Sequence, residues 1–212
     1  YREYKLNMSG VQDILTNIVF FFLSIFIFIF SIGPDKETIS TVGVAIVWTL
    51  LLLSSTLSLR KFYQDDFENG NLLIIHLNGF SFGFISILKT FSHFLFVQVP
   101  FLLSIPIACI LLNIANDKLF YLFASFSIGS LILSCLGSIS SSMNLMNQRN
   151  FLLGSVVVMI FSVPVIIFSV GIINMEESFN SLINILFGIL LIVFAINPWA
   201  SGLCLKLSLE NN

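Results

Sequence analysis

Between Val19 and Ile32 the chain carries nothing more polar than two serines, and five further runs of similar character follow, each closed by a short polar break. Such runs constrain the fold more than any motif does. A helix needs about 20 predominantly apolar residues to cross some 30 Å of hydrocarbon, and a backbone in lipid must satisfy its own N–H and C=O groups. Composition agrees: 57% of residues are hydrophobic and 9% charged, where a soluble domain carries about 25% charged residues. Mean hydropathy is +1.02. The expected fold is an all-α integral membrane protein, one polytopic domain over residues 1–212 with six transmembrane helices.

The spans are expected at about 17–32, 42–59, 88–112, 119–142, 151–173 and 182–203. Residues 1–16 mix Arg2, Glu3, Lys5 and Asp13 with Tyr4, Leu6, Val11, Ile14 and Leu15, a pattern suited to an interfacial helix leading into the first span. The chain opens on Tyr1 and shows no signal peptide with a cleavage site, so the first run is expected to be a retained span. Gly33-Pro34-Asp35-Lys36-Glu37 ends it, because Gly and Pro stop a helix and the charges need water. The tract Leu72 to Ile114 would extend roughly 65 Å as one helix, too long for a single crossing. It divides into an interfacial connector at Leu72 to Leu77, a turn at Asn78-Gly79 and a third span from Leu88. Pro100 and Pro106 interrupt that span and His93 lies near its start, which makes the three candidate functional residues of the membrane region. On the fourth span Ser127, Ser130, Ser134, Gly137 and Ser141 alternate at three and four residues, a seam for close helix approach.

Charge is concentrated between the second and third spans. Five of the chain's twenty charged residues fall in Leu59-Arg60-Lys61-Phe62-Tyr63-Gln64-Asp65-Asp66-Phe67-Glu68-Asn69-Gly70. Aromatic residues interleave with these charges, so the segment reads as an amphipathic surface helix closed by Gly70. Its expected role is to dock a soluble partner: Arg60, Lys61, Asp65 and Asp66 would pair with the partner's charges while Phe62 and Phe67 fill an apolar pocket. Six spans put both termini on one side. That side carries Arg2, Lys5, Arg60, Lys61, Lys89, Arg149 and Lys206, against Lys36 and Lys118 on the other, which places the termini and the charged segment in the cytoplasm.

Several classes of function are excluded. A formal charge of −2 leaves no basic surface for nucleic acid. There is no Gly-x4-Gly-Lys-Ser/Thr loop, no Gly-x-Ser-x-Gly elbow and no His-Glu-x-x-His motif, so the chain is read as a non-catalytic membrane subunit with no catalytic residue of its own. Acidic groups are missing from the span interiors, which argues against ion-coupled transport. Cys109, Cys135 and Cys204 lie in apolar runs without metal-type spacing and read as small buried hydrophobes. His76 and His93 form no ligand cluster and read as hydrogen-bonded structure, so no metal site and no resident cofactor are expected.

A six-span permease with a charged connector after its second span resembles the membrane half of an ABC exporter of the ABC-2 type. Ser31-Ile32-Gly33-Pro34, Trp48 with Leu52-Leu53-Ser54-Ser55, Phe62 with Asp65-Asp66, Gly70 and Leu72, and the spacing of His93, Pro100 and Pro106 together resemble the CcmB family. Gly129-Ser130, Leu136-Gly137, Arg149 and Pro164 to Phe168 extend the resemblance over nearly the whole chain. Two positions depart from it: Leu72-Leu73-Ile74 stands where the family often has Leu-Glu-Gln, and Gly129-Ser130-Leu131 where it often has Gly-Thr-Pro, which removes a kink from the fourth span. The resemblance implies a permease subunit acting in heme handling or export for c-type cytochrome maturation, with heme as the handled ligand. ATP hydrolysis by a separate CcmA-like subunit would release a heme-loaded CcmE-like chaperone, with CcmC-like and CcmD-like proteins and membrane lipid as further partners and two copies per complex. The expected location is the bacterial inner membrane; the richness in Phe, Ile and Asn leaves the mitochondrial inner membrane as an alternative. Competing readings are an ABC-2 permease for a lipid-linked glycan or drug, and a non-transport membrane scaffold.

Overall fold

The computed structural model describes residues 2–58, 61–146, 152–174 and 178–210. Along the chain lie α1 (Arg2–Ile32), α2 (Lys36–Ser58), α3 (Lys61–Glu68), α4 (Asn71–Leu77), α5 (Phe82–His93), a π-helical turn (Phe94–Gln98), α6 (Val99–Leu111), α7 (Lys118–Met146), α8 (Leu152–Asn174) and α9 (Phe179–Glu210). Among the described residues there is no strand, and six helical stretches are long and apolar enough to cross a membrane. They are Ile14–Ile32, Lys36–Glu68, Phe82–Leu111, Lys118–Met146, Gly154–Ile173 and Phe179–Glu210. The protein is an all-α multi-pass membrane protein.

Several helices begin earlier than hydropathy suggests. Residues 2–16 are no separate interfacial helix but the start of an unbroken α1; a lone Gly10 costs only about 1 kcal/mol against alanine in a helix. α2 starts at Lys36 rather than Val42 because Asp35 caps it: the Glu37 N–H donates to Asp35 Oδ1 at 3.1 Å and the Thr38 hydroxyl to Oδ2 at 2.5 Å. The third spanning stretch starts at Phe82 rather than Leu88. Ser81, in an extended conformation, accepts the Phe84 N–H at 3.3 Å and opens α5. The expected turn at Asn78-Gly79 is present, with Gly79 at φ +94°.

Neither Pro100 nor Pro106 breaks its span. Proline lacks an N–H and crowds the carbonyl four residues back; here the wider π turn Phe94–Gln98 comes immediately before α6, which carries Pro100 in its first turn. Pro106, Pro164 and Pro198 lie inside α6, α8 and α9, which run on through them.

Helix α7 is the axis of the bundle, packed against α9, α8, α3, α5, α6 and α2. Its N-terminal half places Leu122 and Phe126 in a core shared with α1, α2 and α6, centred on Phe21, Trp48, Phe101 and Ile105. Its C-terminal half places Ile132, Leu133 and Leu136 in a second core with α3, α4, α5, α8 and α9. Gly129 marks the transition, since a Cβ there would come 2.5 Å from Trp48 Cη2. With no proline between Lys118 and Met146, α7 is continuous.

Candidate functional site

Eight residues make α3, and their alternation decides its seat. Phe62 and Tyr63 are buried, Phe67 packs half-buried on the second core, and Asp65, Glu68 and Asn69 face outward. On the outer face Gln64 Nε2 donates to Glu68 Oε1 at 2.8 Å. Gly70 ends the helix at φ +71°, a left-handed conformation that costs an L-residue roughly 1–2 kcal/mol. No atom outside its immediate neighbours lies within 4 Å of the position a Cβ would take, so the glycine answers to backbone shape rather than to space.

Three contacts fasten α3 to the bundle. The Asp66 carboxylate forms an ion pair with Lys89 of α5 and accepts from Asn71 Nδ2 at 3.2 Å. The Phe62 ring lies over the His93 imidazole, centroids 4.8 Å apart. The Tyr63 hydroxyl reaches Ser138 Oγ of α7 at 2.7 Å.

Behind Tyr63 lies a polar cluster in an otherwise apolar bundle. Gly83 of α5 and Gly202 of α9 let the two helices touch: a Cβ on Gly202 would lie 3.0 Å from Gly83 N, and one on Gly83 would lie 3.1 Å from the Pro198 carbonyl oxygen. Within about two helical turns of these glycines, Ser86 and Thr90 of α5 meet Asn197 and Ser201 of α9. Ser138 Oγ is 3.0 Å from Ser86 Oγ and 3.1 Å from Ser201 Oγ. Asn197 Nδ2 donates to Thr90 Oγ1 at 2.9 Å, and Ser201 Oγ donates to Asn197 Oδ1 at 2.9 Å. All five of these polar side chains are buried, as is Tyr63.

His93 occupies a second polar niche. Its Nε2 is 2.8 Å from Ser58 Oγ and its Nδ1 is 3.1 Å from Ser134 Oγ, so both ring nitrogens are engaged within the chain. Nearby, Gln98 Nε2 donates to Ser55 Oγ at 3.1 Å across α2. His76 donates Nδ1–H to the Phe80 carbonyl at 2.9 Å and stacks on Phe82. Among the described residues no three His, Cys, Asp or Glu side chains gather as a metal cluster would require.

Of the expected site residues, Phe62, Asp66 and His93 come together at the junction of α3 and α5, while Asp65 and Phe67 lie on α3 and Gly70 stands between α3 and α4. Arg60 lies outside the described residues, and Lys61 opens α3. Pro100 and Pro106 lie on α6, about two and about three and a half helical turns beyond His93. One expectation needs correcting. Phe62 is no free anchor for a partner's pocket, because its ring is already buried on His93 and Tyr63. The cluster of Tyr63, Ser86, Thr90, Ser138, Asn197 and Ser201 was not singled out from the sequence. Its signals were Asn197 in mid-span, where an amide demands a partner, and the four-residue spacing of Ser130, Ser134 and Ser138.

The chain is similar in sequence to several curated proteins. "Heme exporter protein B" of Haemophilus influenzae is 28% identical over 99% of this chain and 96% of its own length. The protein of that name from Bradyrhizobium diazoefficiens is also 28% identical, over 99% of this chain and 96% of its length. That of Pseudomonas aeruginosa is 25% identical over 74% of this chain and 71% of its length. The CcmB protein family matches residues 1–208, almost the whole sequence, and the chain belongs to that family.

Proposed function

We propose that this chain is the permease subunit of an ABC transporter complex that handles heme for c-type cytochrome maturation, and that α3 is where a separate ATPase subunit takes hold. The name its relatives bear supplies the heme. The observation that carries the docking role is the two-sidedness of α3: its inner face is fixed to α5 and α7 by Asp66, Phe62 and Tyr63, whereas Asp65, Glu68 and Asn69 stand exposed on its outer face.

The mechanism follows from that division. An ATPase that binds Asp65 and Glu68 through basic side chains moves a helix that cannot slide without moving α5 and α7. Hydrolysis on the partner thereby does work on the bundle, and the outcome is release of a heme-loaded CcmE-like chaperone. CcmC-like and CcmD-like proteins complete the assembly, which contains two copies of this chain and two ATPases. Six spans, the second of them formed by α2 without α3, cross the bacterial inner membrane as one domain. Seven basic residues against two put both termini and α3 on the cytoplasmic side, where ATP is available.

A strain lacking this chain, complemented with variants and assayed on a heme-stained gel, tests the proposal. Glu68→Lys with Gln64→Lys reverses the charge of the outer face while leaving the Asp66–Lys89 pair and the neighbouring Asp65 charge intact. The expected result is loss of ATPase co-purification and of mature c-type cytochromes, with normal amounts of the membrane subunit. Normal maturation in that variant refutes the docking role, and normal c-type cytochromes in the deletion strain refute the heme role.

A further inference from the structure

A hydroxyl has one proton to give, and that rule, with the shorter contacts satisfied first, orders the bonds of the buried cluster. Thr90 Oγ1 donates to the Ser86 carbonyl at 2.8 Å, so it must accept from Asn197 Nδ2. Asn197 Oδ1 can only accept, and takes the Ser201 proton. Ser201 having spent its proton, Ser138 must donate to Ser201. Ser138 having spent its own, Tyr63 and Ser86 must both donate to Ser138, which fills its two lone pairs. A Ser86 proton turned instead to Asn197 Oδ1, 3.4 Å away, would leave the shorter 3.0 Å contact with Ser138 without one. The result is a single directed chain, Tyr63 to Ser138 to Ser201 to Asn197 to Thr90, running from α3 through α7 and α9 to α5.

We propose that Ser138 is a positioning residue through which movement of α3 reaches α9, by way of this chain. The inference rests on the reading of α3 as the helix the ATPase moves. Geometry favours a polar link here. Apolar packing is non-directional and lets neighbouring side chains slip, whereas a chain of buried hydrogen bonds holds one arrangement and strains when its head is displaced. Tyr63 is that head: a phenol fixed on a short surface helix, its oxygen buried and bonded to the middle of the central helix. α3 does not pack closely on α9; of the two routes between them, through α5 and through α7, the one made of buried hydrogen bonds runs through Ser138.

Two variants separate transmission from mere folding. Tyr63→Phe removes the head donor and leaves Ser138 with an empty lone pair but no orphaned proton. Ser138→Ala strands the buried Tyr63 proton, a larger penalty, while the Ser86 proton can turn to Asn197 Oδ1 at 3.4 Å; the double variant Tyr63→Phe/Ser138→Ala relieves the Tyr63 penalty. Each is measured in the full complex for thermal stability in detergent, ATPase co-purification, ATP turnover and mature cytochrome c. Tyr63→Phe and the double variant are expected to keep wild-type stability, ATPase binding and turnover, yet to lose roughly five- to tenfold in mature cytochrome, the size one such bond carries in an equilibrium. Ser125→Ala, which deletes a buried α7 hydroxyl bonded only to the Leu122 carbonyl of its own helix, is expected to mature cytochrome normally. Normal maturation in Tyr63→Phe or in the double variant overturns the proposal, as does a loss that merely follows stability. Failure of the docking reading looks different: the ATPase subunit does not co-purify even with the unmutated chain, and both then fall together.

Discussion

Lys89 of α5 and Asp66 of α3 form an ion pair that joins the charged segment to the membrane bundle within one chain. Their side chains are 31% and 23% exposed, so solvent screens the attraction and the pair contributes about 0.5–1 kcal/mol rather than the several expected of a dry one. Asp66→Ala should lower thermal stability in detergent by no more than this, while exposing residues 61–68 to limited proteolysis. The exchange Asp66→Lys with Lys89→Asp should restore protection. Protection that stays lost in the exchanged variant would show the pair to be incidental.

Gly129 is expected to be the least replaceable glycine of α7. Alanine there sets a methyl 2.5 Å from Trp48 Cη2, and the indole is fully buried against Phe126 with no room to retreat. Overpacking of this kind costs roughly 1–3 kcal/mol. Gly129→Ala should therefore lower the detergent melting temperature measurably, and Trp48→Phe in the same chain should recover part of the loss.

Gly70 offers a contrast, because its constraint lies in the backbone alone. Gly70→Ala should cost about 1 kcal/mol for a left-handed φ, and Gly70→Asn less, since asparagine tolerates that region better. Equal losses in the two variants, read from thermal unfolding, would point to a contact rather than to backbone shape.

His93 is predicted to be a packing and hydrogen-bonding residue. Ser58 and Ser134 each have a backbone carbonyl within reach, that of Ser55 at 2.7 Å and that of Ser130 at 3.0 Å, so whichever of them gives its proton to the imidazole has another acceptor to turn to. His93→Phe strands neither hydroxyl and keeps a ring beneath Phe62. It should fold within about 1 kcal/mol of wild type, whereas His93→Ala should lose roughly 2–4 kcal/mol for the cavity. The heme absorbance of the purified complex should be the same in His93→Phe as in the unmutated chain; a drop would make the imidazole a ligand.

Acid should loosen the start of α2. The Thr38 hydroxyl, then the Glu37 N–H, hold the Asp35 carboxyl below its ordinary value of 3.8. A carboxyl lowered on folding adds stability that is present above 3.8 and disappears as pH falls through the lower, folded value. Asp35→Asn, which still caps but does not titrate, should flatten this part of the profile of unfolding against pH.

The spans could be read from the letters because hydropathy is a local property, and runs such as Val19 to Ile32 leave one option. Their first turns could not be found the same way: Asp35 and Ser81 start α2 and α5 through cap bonds inside polar breaks that a hydropathy reading assigns to loop. The same limit applies to the site. Interleaved charges and aromatics mark α3 as two-faced, but periodicity does not say whether Phe62 meets a partner or its own chain; His93, 31 residues away, decides that. Asn197 announced a need for a partner, but Thr90 lies 107 positions earlier, and only the close passage of Gly83 and Gly202 brings them together.

The π turn at Phe94–Gln98 carries one residue more than an α-helical turn would. Because that turn already absorbs the extra residue, deleting one there would leave an ordinary α turn with the faces on either side nearly in their present phase. Deleting one elsewhere in the span would rotate everything on one side by about 100° relative to the other. A deletion at Phe91 or Ser92, with His93 and Gln98 held in place, would swing Lys89 away from Asp66. This span is thus phased as well as measured, and evolution can trade its residues more readily than it can change their number.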